Sequence, residues 1–132
     1  MPKWCDEGEN MVADIIFGAL ALKTTLYLGL YENGTEPAED DVLTDLTEET
    51  DPAYARIALA RGTWVITGSV AEYVQQTFTA AATPWGNQYG YFITDVASGT
   101  AGLLIAVENF SDGPYNVGAG DSIKITPKVT VS

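Results

Sequence analysis

The sequence predicts a mainly β domain: an antiparallel β-sandwich, jelly roll or small barrel of about seven or eight strands with one N-terminal α-helix. Three observations carry this expectation. Segments rich in β-branched and aromatic residues follow one another from Tyr54 to Val131. Turn chemistry separates them at short intervals. The length of 132 residues, with 46% hydrophobic and 11% aromatic content, suits a single domain spanning 1–132 around one core.

The helix comes first. Asp6 followed by Glu9 has the spacing of a capping box, and Met11, Val12, Ile15 and Ile16 recur at helical spacing, which predicts a helix over Glu7 to Phe17 ended by Gly18. Trp4, just before the cap, suits a hydrophobic staple onto the first turn. From Leu22 the period becomes two. Leu22, Thr24, Leu26, Leu28 and Leu30 share one face of a predicted strand, with Tyr27, Gly29 and Tyr31 on the other.

Asn33-Gly34 marks a turn. The segment 36–51 holds eight carboxylates and no basic residue, with Val42, Leu43 and Leu46 as its apolar anchors. It reads as a long solvated loop with a helical turn near Leu43 to Glu49. Strands are then expected at Tyr54 to Leu59, Thr63 to Thr67, Val74 to Ala80, Tyr89 to Thr94, Leu103 to Phe110 and Ile123 to Val131. The intervening turns are Arg61-Gly62, Gly68-Ser69, Pro84-Trp85-Gly86, Ser98-Gly99, Asp112-Gly113-Pro114 and Gly118-Ala119-Gly120. Pro127 splits the last run and assigns it to an edge or a bulge.

Eighteen acidic against six basic residues, with no histidine, give a formal charge of -12. Such a chain repels phosphate backbones, so nucleic acid is not an expected partner. The longest apolar stretch, Ile15 to Leu22, contains a glycine and is far shorter than a membrane span, and no positive region and cleavage site mark a secretory signal. A soluble, unprocessed chain without a membrane partner is expected.

Chemistry finds little to stand on. Without histidine, the Ser-His-Asp and Cys-His constellations and histidine metal ligation cannot be assembled within the chain. Cys5 lies beside Asp6 and Glu7, which oppose a thiolate. Asp95, Glu108 and Asp112 are candidates for a glycosidase pair, but no spacing distinguishes two of them from solvated surface carboxylates. Glu39, Asp40 and Asp41 are consecutive and lack the alternation of a calcium loop. Gly118-Ala119-Gly120 precedes a β-run, so it reads as a hairpin turn and not a phosphate loop. No enzyme activity, cofactor or metal is expected. Trp85, Tyr89, Tyr91 and Phe92 suit either a sugar-stacking platform or packing, with packing the stronger reading.

The segment Thr83-Pro84-Trp85-Gly86-Asn87-Gln88-Tyr89-Gly90-Tyr91-Phe92-Ile93-Thr94-Asp95 resembles a stretch of small virion structural proteins of tailed bacteriophages. The strand Leu26-Tyr27-Leu28-Gly29-Leu30-Tyr31-Glu32-Asn33, the later Tyr54-Ala55-Arg56 and Gly62-Thr63-Trp64, and the closing run from Gly120 to Lys128 fit the same pattern. The resemblance implies a non-enzymatic role in the virion, assembled in the host cytoplasm: a head decoration or cement protein contacting the major capsid protein, or a tail, fibre or baseplate component. A homo-oligomer, with a trimer favoured, would bury Trp64, Trp85, Tyr89 and Tyr91 at its interface. Core burial of all four is the competing expectation.

Overall fold

The computed structural model describes residues 2–131. Along the chain run β1 (Lys3–Trp4), α1 (Asp6–Phe17), β2 (Thr25–Tyr31), a 3-10 turn (Leu43–Asp45), β3 (Ile57–Ala60), β4 (Val65–Thr67), β5 (Val70–Glu72) and β6 (Gln76–Thr79). The remainder comprises β7 (Gly86–Gln88), β8 (Gly90–Thr94), β9 (Leu104–Asn109), β10 (Tyr115–Val117), β11 (Ser122–Ile125) and β12 (Lys128–Thr130). The protein is mainly β with one α-helix, and its strands pair antiparallel throughout. A five-stranded sheet has the order β1-β9-β8-β2-β3, a three-stranded sheet the order β12-β5-β4, and β11-β6 and β10-β7 form two-stranded ribbons. Among the described residues no sheet closes into a barrel, which sets the barrel alternative aside.

Strands are shorter and more numerous than expected, for local reasons. Gly68, at φ +61°, and Ser69 close a two-residue hairpin between β4 and β5, so the expected Thr63 to Thr67 strand gains a partner that its weak pattern concealed. Tyr115-Asn116-Val117 and Gly86-Asn87-Gln88 are too short and too polar to read as strands, yet they pair with each other. Pro127 divides the last run into β11 and β12, each in a different sheet, as a residue without an N–H requires.

The centre of the large sheet is set by two glycine–aromatic pairs. Gly29 lies opposite Phe92, and Gly90 opposite Tyr31. A Cβ on Gly29 would come within 2.3 Å of the Phe92 ring, and one on Gly90 within 2.2 Å of the Tyr31 hydroxyl. Each glycine leaves the space that the facing ring fills. Leu28, Leu30, Tyr91 and Ile93 occupy the opposite face, as the period of two predicts. That face is covered by Met11 of α1, by Trp85 just before β7, and by Phe78, Ile123, Ile125 and Val129 of the smaller sheets. Each such buried side chain contributes about 1.5–3 kcal/mol of transfer free energy.

On the second face Tyr31, Phe92, Leu104 and Val107 pack under Cys5, Leu43, Leu46, Tyr89 and Val96. The acidic segment crosses this face as a loop, exposed at Glu36, Glu39, Asp40 and Asp45 and anchored by Leu43 and Leu46, with buried Pro37 as a further anchor. Its helical turn is confined to Leu43–Asp45, and its end pairs with β2 through a Tyr31–Glu48 bridge and a Glu32 N–H bond to Thr47 O of 2.7 Å. The carboxylates that suggested solvation alternate with Pro37, Leu43 and Leu46, which turn inward.

Helix α1 begins one residue earlier than expected, with Cys5 at the N-cap making no side-chain capping bond. The Asp6–Glu9 box is replaced by longer-range partners. The Asp6 N–H donates to Glu39 O at 2.8 Å, and the Glu7 carboxylate accepts the Leu104 N–H at 2.8 Å. Asp6, Glu7 and Glu9 sit at the positive end of the helix dipole. Gly8 allows contact with β9: a Cβ there would meet Ile105 O at 2.3 Å. Gly18 ends the helix, as predicted. Trp4 is part of β1 and not a staple, and its indole N–H donates to Thr130 O at 2.7 Å, joining the two ends of the described chain. No described helix is long and apolar enough to cross a membrane.

Candidate interaction surface

The four aromatic residues expected at an interface are placed in three different environments. Trp85 is buried beside Tyr54, edge-on with ring centroids 5.6 Å apart. Tyr91 is also buried, and its hydroxyl donates to Glu108 at 2.7 Å. Burial first, and then that carboxylate, push the Tyr91 phenol far above its ordinary range. Tyr89 is half-buried on the other face of the sheet, against Tyr31 and Phe92. Trp64 is half-buried and edge-on to Tyr73 at 5.2 Å. Tyr89 and Tyr91 do not share a face, because Tyr89 falls in the corner between β7 and β8. The four residues form no single surface, and no sugar platform unites Trp85, Tyr89, Tyr91 and Phe92.

The candidate carboxylates are likewise dispersed. Asp95 accepts the Leu103 N–H at 2.7 Å and pairs with Lys23 at 3.1 Å. Glu108 receives the Tyr91 hydroxyl, and Asp112 that of Tyr115. Asp41 accepts the Ala38 N–H at 2.9 Å, holding the tip of the acidic segment together. Among the described residues no three His, Cys, Asp or Glu side chains converge as metal ligands. Gly118-Ala119-Gly120 is the turn between β10 and β11, where Asp121 accepts the Gly118 N–H at 3.1 Å. Cys5 is buried, and desolvation outweighs the favourable Lys3 charge to push its thiol up to about 12. It is held as the neutral thiol.

A different region presents open apolar surface. A groove of about 290 Å³ runs between α1 and the β12-β5-β4 sheet, walled by Trp4, Met11, Ile15, Leu22, Trp64 and Val129. Lys23 and Arg61 border it. The cross-strand row Val129–Ala71–Ile66 carries its apolar floor outward to β4, where Ile66 is 65% exposed. Strand β4 has β5 as its one neighbour in that sheet and carries no charge, proline or bulge, the devices by which exposed edges are normally blunted. Val65, Ile16 and Phe17 are exposed as well.

Sequence reasoning passed over these residues, although two signals pointed to them. Ile15-Ile16-Phe17 places apolar side chains at consecutive helical positions, so one face cannot bury all three. Val65-Ile66-Thr67 is β-branched at every position, leaving neither face of its strand charged. A second, more polar groove of about 510 Å³ is lined by Tyr115, Asn116, Asp121, Ser122 and Lys124, between β10 and β11. Compared with known proteins, the chain matches no protein-family model and no curated protein.

Proposed function

We propose that this chain is a non-enzymatic structural protein of a tailed-bacteriophage virion. In this reading it is a head decoration or cement protein, a sandwich-like β domain that seats between subunits of the major capsid protein. The observation that carries the reading is the open apolar surface around the groove and β4 on a chain of net charge -12. Self-repulsion keeps such a chain soluble, while an apolar groove and a free strand edge are the features through which a β domain adds itself to another protein. The phage-like segments support it in a second way. They supply β2, β8 and β11, which contribute Leu28, Leu30, Tyr91, Ile93, Ile123 and Ile125 to the core.

Cryo-electron microscopy of the particle that carries this chain tests the proposal. Density for the domain repeating on the capsid lattice is the expected result, and density confined to the tail excludes the cement role. A second reading, a tail, fibre or baseplate component that binds carbohydrate, is favoured by the polar groove beside Tyr115, where an aromatic ring adjoins amide, hydroxyl and charged groups. Micromolar binding on a glycan array, lost in Tyr115→Ala, is its expected outcome.

A further inference from the structure

We infer that the groove between α1 and the β12-β5-β4 sheet receives Phe17 of a second copy of this chain. Phe17 is 88% exposed at the end of α1, on the helix face it shares with Asn10, Ala13 and Asp14. The groove is lined from the other side of the same helix, by Met11, Val12 and Ile15. The ring thus points away from its own groove, and its docking requires another molecule. An apolar cavity of about 150 Å³ is enough to hold benzene. At about 290 Å³, this groove has room for a phenyl ring and part of a neighbouring side chain.

Charge selects the same pairing. Four of the six basic residues are engaged within the chain, as Lys3–Glu36, Lys23–Asp95, Arg56–Glu48 and Lys128–Glu72. Arg61 has no ion pair among the described residues, is exposed, and borders the groove. Asp14 lies almost one helical turn before Phe17 and is exposed on the same face. A ring with a carboxylate beside it therefore meets an apolar groove with a guanidinium at its rim. The contact either is reciprocated, closing a two-fold dimer, or runs head-to-tail, closing into a ring or propagating. The inference concerns the isolated chain and does not rest on the virion reading.

Light scattering coupled to size-exclusion chromatography, run on the full chain over a range of concentrations, tests it. The expected mass at high concentration is a multiple of the 14.1 kDa monomer. Phe17→Ser is expected to return the mass to 14.1 kDa with an unchanged circular dichroism spectrum, since the side chain is exposed in the monomer. Arg61→Glu is expected to weaken association at least tenfold, and Asp14→Lys combined with Arg61→Glu to recover it. A wild-type chain that stays monomeric throughout, or an oligomer indifferent to Phe17→Ser, overturns the inference while leaving the virion proposal standing.

Discussion

Arg56 and Glu48 meet in a two-pronged ion pair, with Nε to Oε2 at 2.9 Å and Nη2 to Oε1 at 2.8 Å. The Arg56 side chain is 4% exposed, and its guanidinium carbon lies 5.2 Å from the centroid of the Phe92 ring. It also donates to Val96 O at 3.0 Å and Gly99 O at 2.8 Å. On the far side, the Tyr54 hydroxyl donates to Glu48 at 2.6 Å and accepts the Leu30 N–H at 2.9 Å. One cation thereby ties the acidic segment and the 95–102 loop to the central sheet. The Leu30 amide lies beyond the end of β3, where Tyr54 replaces the missing strand.

Removing one partner of this pair leaves the other desolvated, so Arg56→Ala is expected to lower unfolding free energy by about 3 kcal/mol, the low end for buried pairs because Glu48 keeps some contact with water. Arg56→Lys restores the charge but not the fork or the stacking, and should recover part of the loss. Urea unfolding monitored by fluorescence supplies the comparison. A change under about 0.5 kcal/mol in Arg56→Ala, the level typical of surface substitutions, would show that the pair clamps nothing.

The paired glycines of the central sheet predict a coupling. Gly29→Ala forces a methyl onto the Phe92 ring and is expected to cost about 1–3 kcal/mol, as overpacking of a close-packed core does. Phe92→Leu costs something by itself, but in that background the added methyl meets a smaller neighbour. The double variant should therefore be more stable than the sum of the single changes predicts, by a clear fraction of the Gly29→Ala penalty. Strict additivity in a double-mutant cycle contradicts the proposed contact.

These two relationships show where the sequence was legible. The alternation through Leu26, Leu28 and Leu30 marked β2 and its inner face, and Gly18 marked the end of the helix, because local periodicity and backbone freedom decide both. In the acidic segment the anchors Leu43 and Leu46 were legible as isolated apolar residues among eight carboxylates, whereas the burial of Pro37 and the pairing of Glu48 with Tyr31 depend on which face the loop crosses. Arg56 stood out only as part of Tyr54-Ala55-Arg56, with no role legible. Its role depends on Glu48, Val96 and Gly99 arriving from segments up to 43 residues away. The apolar excess of Ile15-Ile16-Phe17 and Val65-Ile66-Thr67 was legible, but the groove itself was not, since it forms only where α1, the large sheet and β5 and β12 come together in space.

Cys5 should be chemically silent in the folded protein. Its thiol is buried and pushed up to about 12, chiefly by desolvation, so almost no thiolate exists at neutral pH. A thiol-disulfide exchange reagent at pH 8 is expected to modify native protein only on the timescale of unfolding, and to react at once in denaturant. Rapid stoichiometric modification of folded protein would show that the segment of chain over Cys5 opens readily.

Alkali should unfold the protein through its buried phenols. Tyr31, Tyr54 and Tyr91 are all raised well above the ordinary phenol range, each mainly by burial and then by neighbouring carboxylates, Glu36 and Glu108 at Tyr31, Glu48 at Tyr54 and Glu108 at Tyr91. A group whose proton is held more tightly in the folded state stabilises that state below the unfolded pKa, about 10 for tyrosine, and the contribution is lost as pH rises beyond it. Stability should therefore fall steeply above about pH 10. Spectrophotometric titration of the seven tyrosines should show these three ionising late and together with loss of tertiary structure. Tyr54→Phe removes the phenol bound to Glu48 and should make stability fall less steeply with pH above about 10, although it lowers stability at pH 7 by leaving the Leu30 N–H without its acceptor. Seven phenols titrating independently near pH 10, in a protein that stays folded, is the outcome that rejects this account.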